Sequence, residues 1–471
     1  MLFSSIGFLF RFLPVFMLIY LISPARYRNG ILLLGSLIFY GVGEPFFVLL
    51  LLFSVLFNYG ISFLYFDVNG ETDSQRMLRR RRFALLFSLL VDFGVLFVFK
   101  YWDFAAENVN RVAGTQIMPL LALALPLGIS FYTFQMVSYQ IDCYRGMIKE
   151  HAGFIAFATY VSMFPQLIAG PIVKYDEVAL QLQNREIKAS GLEKGLKLFV
   201  IGLGSKVLLA NQMGTLWNTI MTVGAGNLSP AVAWLGAFAY SFQIYFDFWG
   251  YSLMAVGLGR MLGFVIPRNF RNPYAAKSVS DFWRRWHITL GRWFREYVYI
   301  PMGGNRKGKF RTVLNLCVVW TLTGLWHGAS WNFVLWGFLF FVLLSIEKCG
   351  IGKFLEKSKI LGHLYVILVI PVTWVVFAVT DFSQLTAYLK NLIGIHDAAT
   401  AIAGTLQLQR YLQDYWWLLL LCVLFATPLP ARLYKKYKNH WLMLILLLAV
   451  FWLAVHEILV GANNPFLYFR F

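Results

Sequence analysis

Two histidines stand out by their surroundings. His327 lies in TLTGLWHGASWNFVLWG, inside a run from Thr312 to Ser345 that carries no Asp, Glu, Lys or Arg. Gly324 and Gly328 flank it, and Ser330 and Asn332 follow. A polar side chain at membrane depth is costly, and it faces protein or a water-filled cavity. The glycines permit a break in the chain or the close approach of a second segment. His287 lies in FWRRWHITLGRWFREY, among arginines and aromatic residues. An imidazole titrates near neutrality, so either ring is suited to take the proton of a hydroxyl and make it a better nucleophile. If the group to be transferred arrives as a thioester, it is already activated, and no enzyme nucleophile is required. The chain accordingly shows no serine elbow. A two-histidine metal site is the rival chemistry, and it lacks a third ligand at metal spacing, so no metal is expected. The bland alternative for each ring is packing inside the protein. Of the other histidines, His151, His363, His396 and His440 sit at segment ends or in loops, and His456 stands beside Glu457 in the last apolar run.

His287 belongs to a basic aromatic block, residues 266–311, with eleven Lys and Arg and only Asp281 and Glu296 as acids. Ser280 is the expected N-cap of a helix there, with Asp281 in its first turn. At helical spacing Asp281, Arg285, Thr289, Arg292 and Glu296 share one stripe, and Trp283, Trp286, His287, Leu290, Phe294 and Tyr297 share another. Such an element lies in the membrane interface or enters it partway. It is either an anchor or a cationic mouth. Arginine forks bind phosphate oxygens in pairs, so Arg284, Arg285 and Arg292, with Trp286 beside them, are the expected contacts of a phosphorylated acyl carrier such as coenzyme A. The Gly303–Lys309 stretch is glycine-rich and basic but lacks P-loop spacing.

The elements that must position these residues are membrane helices. The chain has 471 residues, 59% of them hydrophobic and 13% charged, with a mean hydropathy of +0.64. Soluble domains carry roughly 25% charged residues, so the outer face of this chain must meet lipid. At about 20 apolar residues per span, candidate segments fall near 2–22, 31–42, 45–66, 83–101, 117–140, 153–171, 195–219, 231–259, 312–345, 361–379, 413–429 and 441–461. The 312–345 run would reach about 50 Å as one helix, against a hydrocarbon core of about 30 Å, so it must break or tilt. The count is about eleven to thirteen in an all-α polytopic membrane protein, read as one membrane domain over residues 1–471. The net charge of +19 sits in short loops, such as Arg76–Arg82. That is the pattern of cytoplasmic loops rather than of a nucleic-acid binder. Asp92 and Asp247 fall inside apolar runs, where each is expected to pair with a cation of a neighbouring helix. The four cysteines are widely spaced and indicate no disulfide framework.

In FWRRWHITLGRWFREYVYIPMGGNR (282–306) and LWHGASWNFVLWG (325–337) the chain resembles the membrane-bound O-acyltransferase family. SFYTFQMVSYQIDCYRG (130–146), FPQLIAGPIVKY (164–175), YFDFWGYSLMAVGLG (245–259) and the closing PFLYFRF (465–471) extend the match along the chain. It is similar to the bacterial branch that includes the alginate O-acetylation membrane subunit, which shares the GGNR element. The teichoic acid D-alanylation branch is the second candidate. The resemblance implies a ring of membrane helices around a thinned centre with a central tunnel and re-entrant or interfacial helices. It places the family's essential histidine on His327 and its second polar position on His287. It further implies an acyl-CoA donor, most simply acetyl-CoA, with no tightly bound cofactor. An extracytoplasmic SGNH-type transferase would be the partner, a polysaccharide the final acceptor, and a bacterial plasma membrane the location. A transporter without covalent chemistry would leave the block and the histidine break unexplained.

Overall fold

Backbone groups in lipid have no water to bond, so an apolar chain must satisfy them within helices. This chain does so: among the described residues, 1–66, 74–395, 398–461 and 466–467 of a computed structural model, there is no strand. Among the described residues six helices are long and apolar enough to cross a membrane, or up to seven if Gly404–Ala426 and Leu429–Tyr437, bent by 72°, form one broken span. The sequence count of eleven to thirteen includes runs that the structure divides. The expected 117–140 span is helical only from Ile129. Before it, Asn110 Oδ1 accepts from the amides of Ile117 and Met118, both at 2.8 Å, and the Asp103 carboxylate accepts from Leu121 and Ala122 at 2.7 and 2.9 Å. Side chains thereby hold amides that a helix would use, and Pro119 and Pro126 supply none. The expected 153–171 span is two short helices, Phe154–Ser162 and Phe164–Leu167. Nine helical residues reach only about 14 Å, half of a bilayer core.

The chain packs as two units. The first comprises Met1–Phe199 and Met254–Pro267. Its N-terminal end is an aromatic cluster in which Phe164 meets Phe16 at 5.3 Å and Phe39 at 5.4 Å between ring centroids. Three of its helices, α1 (Phe47–Ser62), α2 (Ser74–Leu96) and α3 (Ile129–Tyr144), share a buried polar core. Asn58 donates to Asp92 at 2.7 Å, and Gln140 donates to the Asn58 side chain at 2.8 Å. Asp92 thus finds an amide rather than the expected cation. The arginine cluster, expected in a loop, lies on the first turns of α2 and serves as a local cap. Arg80 and Arg81 donate to the carbonyls of Leu64 and Tyr65, just beyond α1, at 3.1 and 2.9 Å.

The second unit comprises Val200–Leu253 and Arg268–Phe471, so helix α4 (Pro230–Met261) contributes its first part here and its last part to the first unit. The unit continues with α5 (Val279–Trp283), α6 (Ile288–Phe294), α7 (Gly308–His327), α8 (Trp331–Ile346) and α9 (Lys359–Ala378). Asp247 on α4 meets Lys206 at 2.6 Å, fulfilling the expectation of a cationic partner. Lys206 lies on a π-helical turn, Ser205–Ala210, where one residue too many is accommodated in the helix. Of the residues singled out from sequence, His396 and most of the closing PFLYFRF lie outside the described residues.

Candidate active site

The long charge-free run breaks at the histidine. Helix α7 ends on His327, Gly328 is extended, and α8 begins at Trp331. Twenty residues of α7 reach about 30 Å, and the helix that α8 opens, Trp331–Leu355, is one of the candidate spans. The two helices can double back closely because small residues face each other. A Cβ on Gly337 would collide with the Trp320 carbonyl and lie 3.2 Å from Gly324 Cα. A Cβ on Gly324 would collide with the Phe333 carbonyl. Close backbone approach through glycine is the usual means of tight helix packing in membranes. Asn332 then fixes the start of α8 by donating to the Phe377 carbonyl near the end of α9 at 2.9 Å.

His327 is 5% exposed and stands among aromatic rings. Its centroid lies 5.0 Å from Trp326, 5.1 Å from Trp336 and 5.2 Å from Phe377, each ring edge-on. His287 is 1% exposed, 4.7 Å from Phe248 and 5.7 Å from Trp326. The Trp326 indole therefore touches both imidazoles. Neither nitrogen of the His287 ring meets a hydrogen-bond partner on another described residue. His287 lies outside the candidate spans, and burial pushes its imidazole down to about 3, so the ring is neutral near pH 7.

The helix expected across residues 281–297 is interrupted at His287, which adopts the left-handed conformation with φ 43° and ψ 53°. Non-glycine residues pay for that conformation, and surrounding bonds must enforce it. Here the 269–271 segment supplies them. Ile288 donates its amide to the Asn269 carbonyl at 3.0 Å, and Arg271 donates to the Arg285 carbonyl at 2.9 Å. Asn269 Oδ1 also accepts from the Thr289 hydroxyl at 2.7 Å. These cross-links replace helical bonds and separate α5 from α6. The N-cap of α5 is Ser278 rather than Ser280, its hydroxyl accepting from Asp281 N at 3.0 Å. Ser280 itself donates its amide to Glu347 at 2.8 Å, while Val279 donates to the other carboxylate oxygen at 2.5 Å.

The remaining expected residues divide. Trp286 is buried, 4.9 Å from Trp374 and 5.0 Å from Phe270, and packs the core behind His287. Arg284 is mostly exposed and lies 3.6 Å from Asp281, whereas Arg285 pairs with Asp281 at 2.9 Å. Arg292 is half-buried on α6. Sequence reasoning missed Trp326, Asn269 and Glu347. Trp326 was adjacent to the chosen histidine. Glu347 is the first charge after the long uncharged run that starts at Thr312, a signal that was available.

The model of the membrane-bound O-acyltransferase family matches residues 32–387. The chain is 39% identical over 381 residues to the probable alginate O-acetylase AlgI of Pseudomonas aeruginosa, covering 80% of this chain and 72% of that one. It is 34% identical to the probable alginate O-acetylase AlgI of Pseudomonas putida over 494 aligned positions, which cover 100% of both chains. It is also 35% identical to a peptidoglycan O-acetyltransferase of Helicobacter pylori over 437 residues, covering 84% of this chain and 80% of that one.

Proposed function

The chain belongs to the membrane-bound O-acyltransferase family, and from that premise we propose that it passes an acetyl group from cytosolic acetyl-CoA toward the O-acylation of an extracytoplasmic polysaccharide. It is a multi-pass membrane acyltransferase. The observation that carries the finer reading is the pairing of two buried imidazoles on one indole, beside a break in the charge-free run. One ring, His327, accepts the proton of the acceptor hydroxyl as its oxygen attacks the thioester carbonyl carbon. The carbon–sulfur bond then breaks, and the thiolate leaves with a proton. Every atom is accounted for without an enzyme-bound acyl group. Arg284 and Arg285, just after α5, and Arg292 on α6 supply positive charge for the donor's phosphates.

The relatives' names point to alginate and peptidoglycan as acceptors in those proteins. A polysaccharide outside a bacterial plasma membrane suits this chain too, with an SGNH-type transferase receiving the acyl group on the outer side. The test is His327→Ala expressed in a strain that lacks the parent gene. The variant is expected in the membrane at parent level, with acetyl groups absent from envelope polysaccharide by mass spectrometry. Normal acetylation would overturn the assignment.

A further inference from the structure

We propose that Asn269 is a further catalytic residue, whose side-chain N–H donates to the acyl carbonyl oxygen and to the oxyanion that forms from it. The inference rests on the acyl-transfer reading above and adds a group to the same site.

The orientation of the Asn269 amide is fixed by chemistry. Its side chain faces the Thr289 backbone N–H at 3.2 Å and the Thr289 hydroxyl at 2.7 Å. A backbone N–H only donates, so the atom facing it must be the carbonyl oxygen Oδ1. Nδ2 is thereby turned the other way with two hydrogens to give. Asn269 is 1% exposed, and Nδ2 meets no acceptor among the described residues. Buried donors are nearly always matched, so this one calls for an acceptor, and a bound acyl carbonyl would supply it.

A second unmatched group is tied to the first. The Asn269 carbonyl accepts from the amide of Ile288, the residue that follows His287. The His287 ring, also 1% exposed, has both nitrogens without a partner on another described residue. That backbone bond sets Asn269 beside His287, whose ring shares the Trp326 indole with the His327 base, so the donor and the base belong to one site. A base must face the attacking hydroxyl, and a donor must face the carbonyl oxygen on which negative charge develops. Attack by the hydroxyl oxygen moves the carbonyl pair onto that oxygen, which Nδ2–H stabilises. The pair returns as the thiolate departs.

The test replaces Asn269 by Asp, which keeps an oxygen for Thr289 and exchanges the donor for an acceptor. Purified parent, Asn269→Asp, Thr289→Val and His327→Ala are assayed for acyl transfer from acetyl-CoA. Asn269→Asp is expected to lower kcat by about 10²–10³-fold, with the KM for acetyl-CoA changed only a few-fold. Thr289→Val, which removes the hydroxyl bond and keeps the backbone bond to Asn269, should keep kcat within about tenfold of the parent. If Asn269→Asp retains the parent's kcat, the proposal fails. If His327→Ala is dead in that same experiment, the acyl-transfer reading survives that failure. An active His327→Ala instead removes the reading beneath it. A spectroscopic arm stands apart from folding of the variants. A ketone analogue of acetyl-CoA with an isotope-labelled carbonyl is bound to the parent, and its infrared stretch is expected at lower frequency than in water-free solvent. The shift should be lost in Asn269→Ala and kept in Thr289→Val. An unshifted carbonyl in the parent overturns the proposal by itself.

Discussion

His287 meets Trp326 edge to face, with ring centroids 5.7 Å apart and planes at 72°. The other side of the contact is the neighbouring His327, 5.0 Å from the same indole. One side chain on α7 therefore sets the spacing of two imidazoles that come from segments 40 residues apart. Trp326→Phe keeps an aromatic ring and removes the larger indole. It should lower acyl transfer by roughly tenfold or more, because small misplacements of reacting groups are costly in rate. The purified protein should elute as the parent does. Parent-level kcat in this variant would show that the indole has no part in spacing the site.

The helical class and the break at His327 were legible for definite reasons. An uncharged run too long for the bilayer has to break, and the glycines and histidine said where. The interruption at His287 was not legible. Periodicity continues smoothly through 281–297, and the left-handed residue is enforced by Asn269 and Arg271, which lie at least 16 positions upstream of it in the chain. Non-local bonds of that kind leave no periodic trace. The same holds for Asp103 and Asn110, which unwind an apolar run by binding its amides. Trp286 shows the limit in the other direction. Its place beside Arg285 in the sequence suggests a donor contact, whereas its ring is buried against Phe270 and Trp374.

Burial of His287 has a consequence for stability against pH. Its imidazole is pushed down to about 3 in the folded protein, while an unfolded histidine titrates near 6.5. Between those values the unfolded chain binds a proton that the folded chain refuses. Stability from this residue is therefore present above about pH 6.5 and is lost as the pH falls toward 3. The greatest slope is about 1.4 kcal/mol per pH unit. His287→Asn removes the titration while keeping a polar side chain of similar reach. In detergent, the melting temperature of the parent should fall more steeply than that of His287→Asn on acidification from pH 7 to pH 4. Parallel curves would mean that the ring is protonated or solvated in the folded state.

The buried ion pair of Lys206 and Asp247 should behave as a coupled unit. Both side chains are nearly inaccessible, at 4% and 2%, and their charged atoms lie 2.6 Å apart. Further bonds surround them. Lys206 donates to Asn211 at 2.8 Å, and the second Asp247 oxygen accepts from the Leu467 amide at 2.8 Å. Gly250 makes the approach possible, since a Cβ there would lie 2.6 Å from the Gly202 carbonyl. Removing one partner strands the other charge in a low-dielectric interior, which typically costs about 3–5 kcal/mol. Replacing both by apolar residues of similar volume avoids that penalty. Asp247→Leu and Lys206→Met are each expected to lower the melting temperature sharply and to reduce the folded yield. The double variant should recover most of the loss, leaving about 1–3 kcal/mol for the Leu467 amide that has lost its acceptor. A thermal-stability cycle on the four proteins measures the coupling. Additive losses would show that the two side chains do not stabilise each other, and that each charge is held by other groups instead.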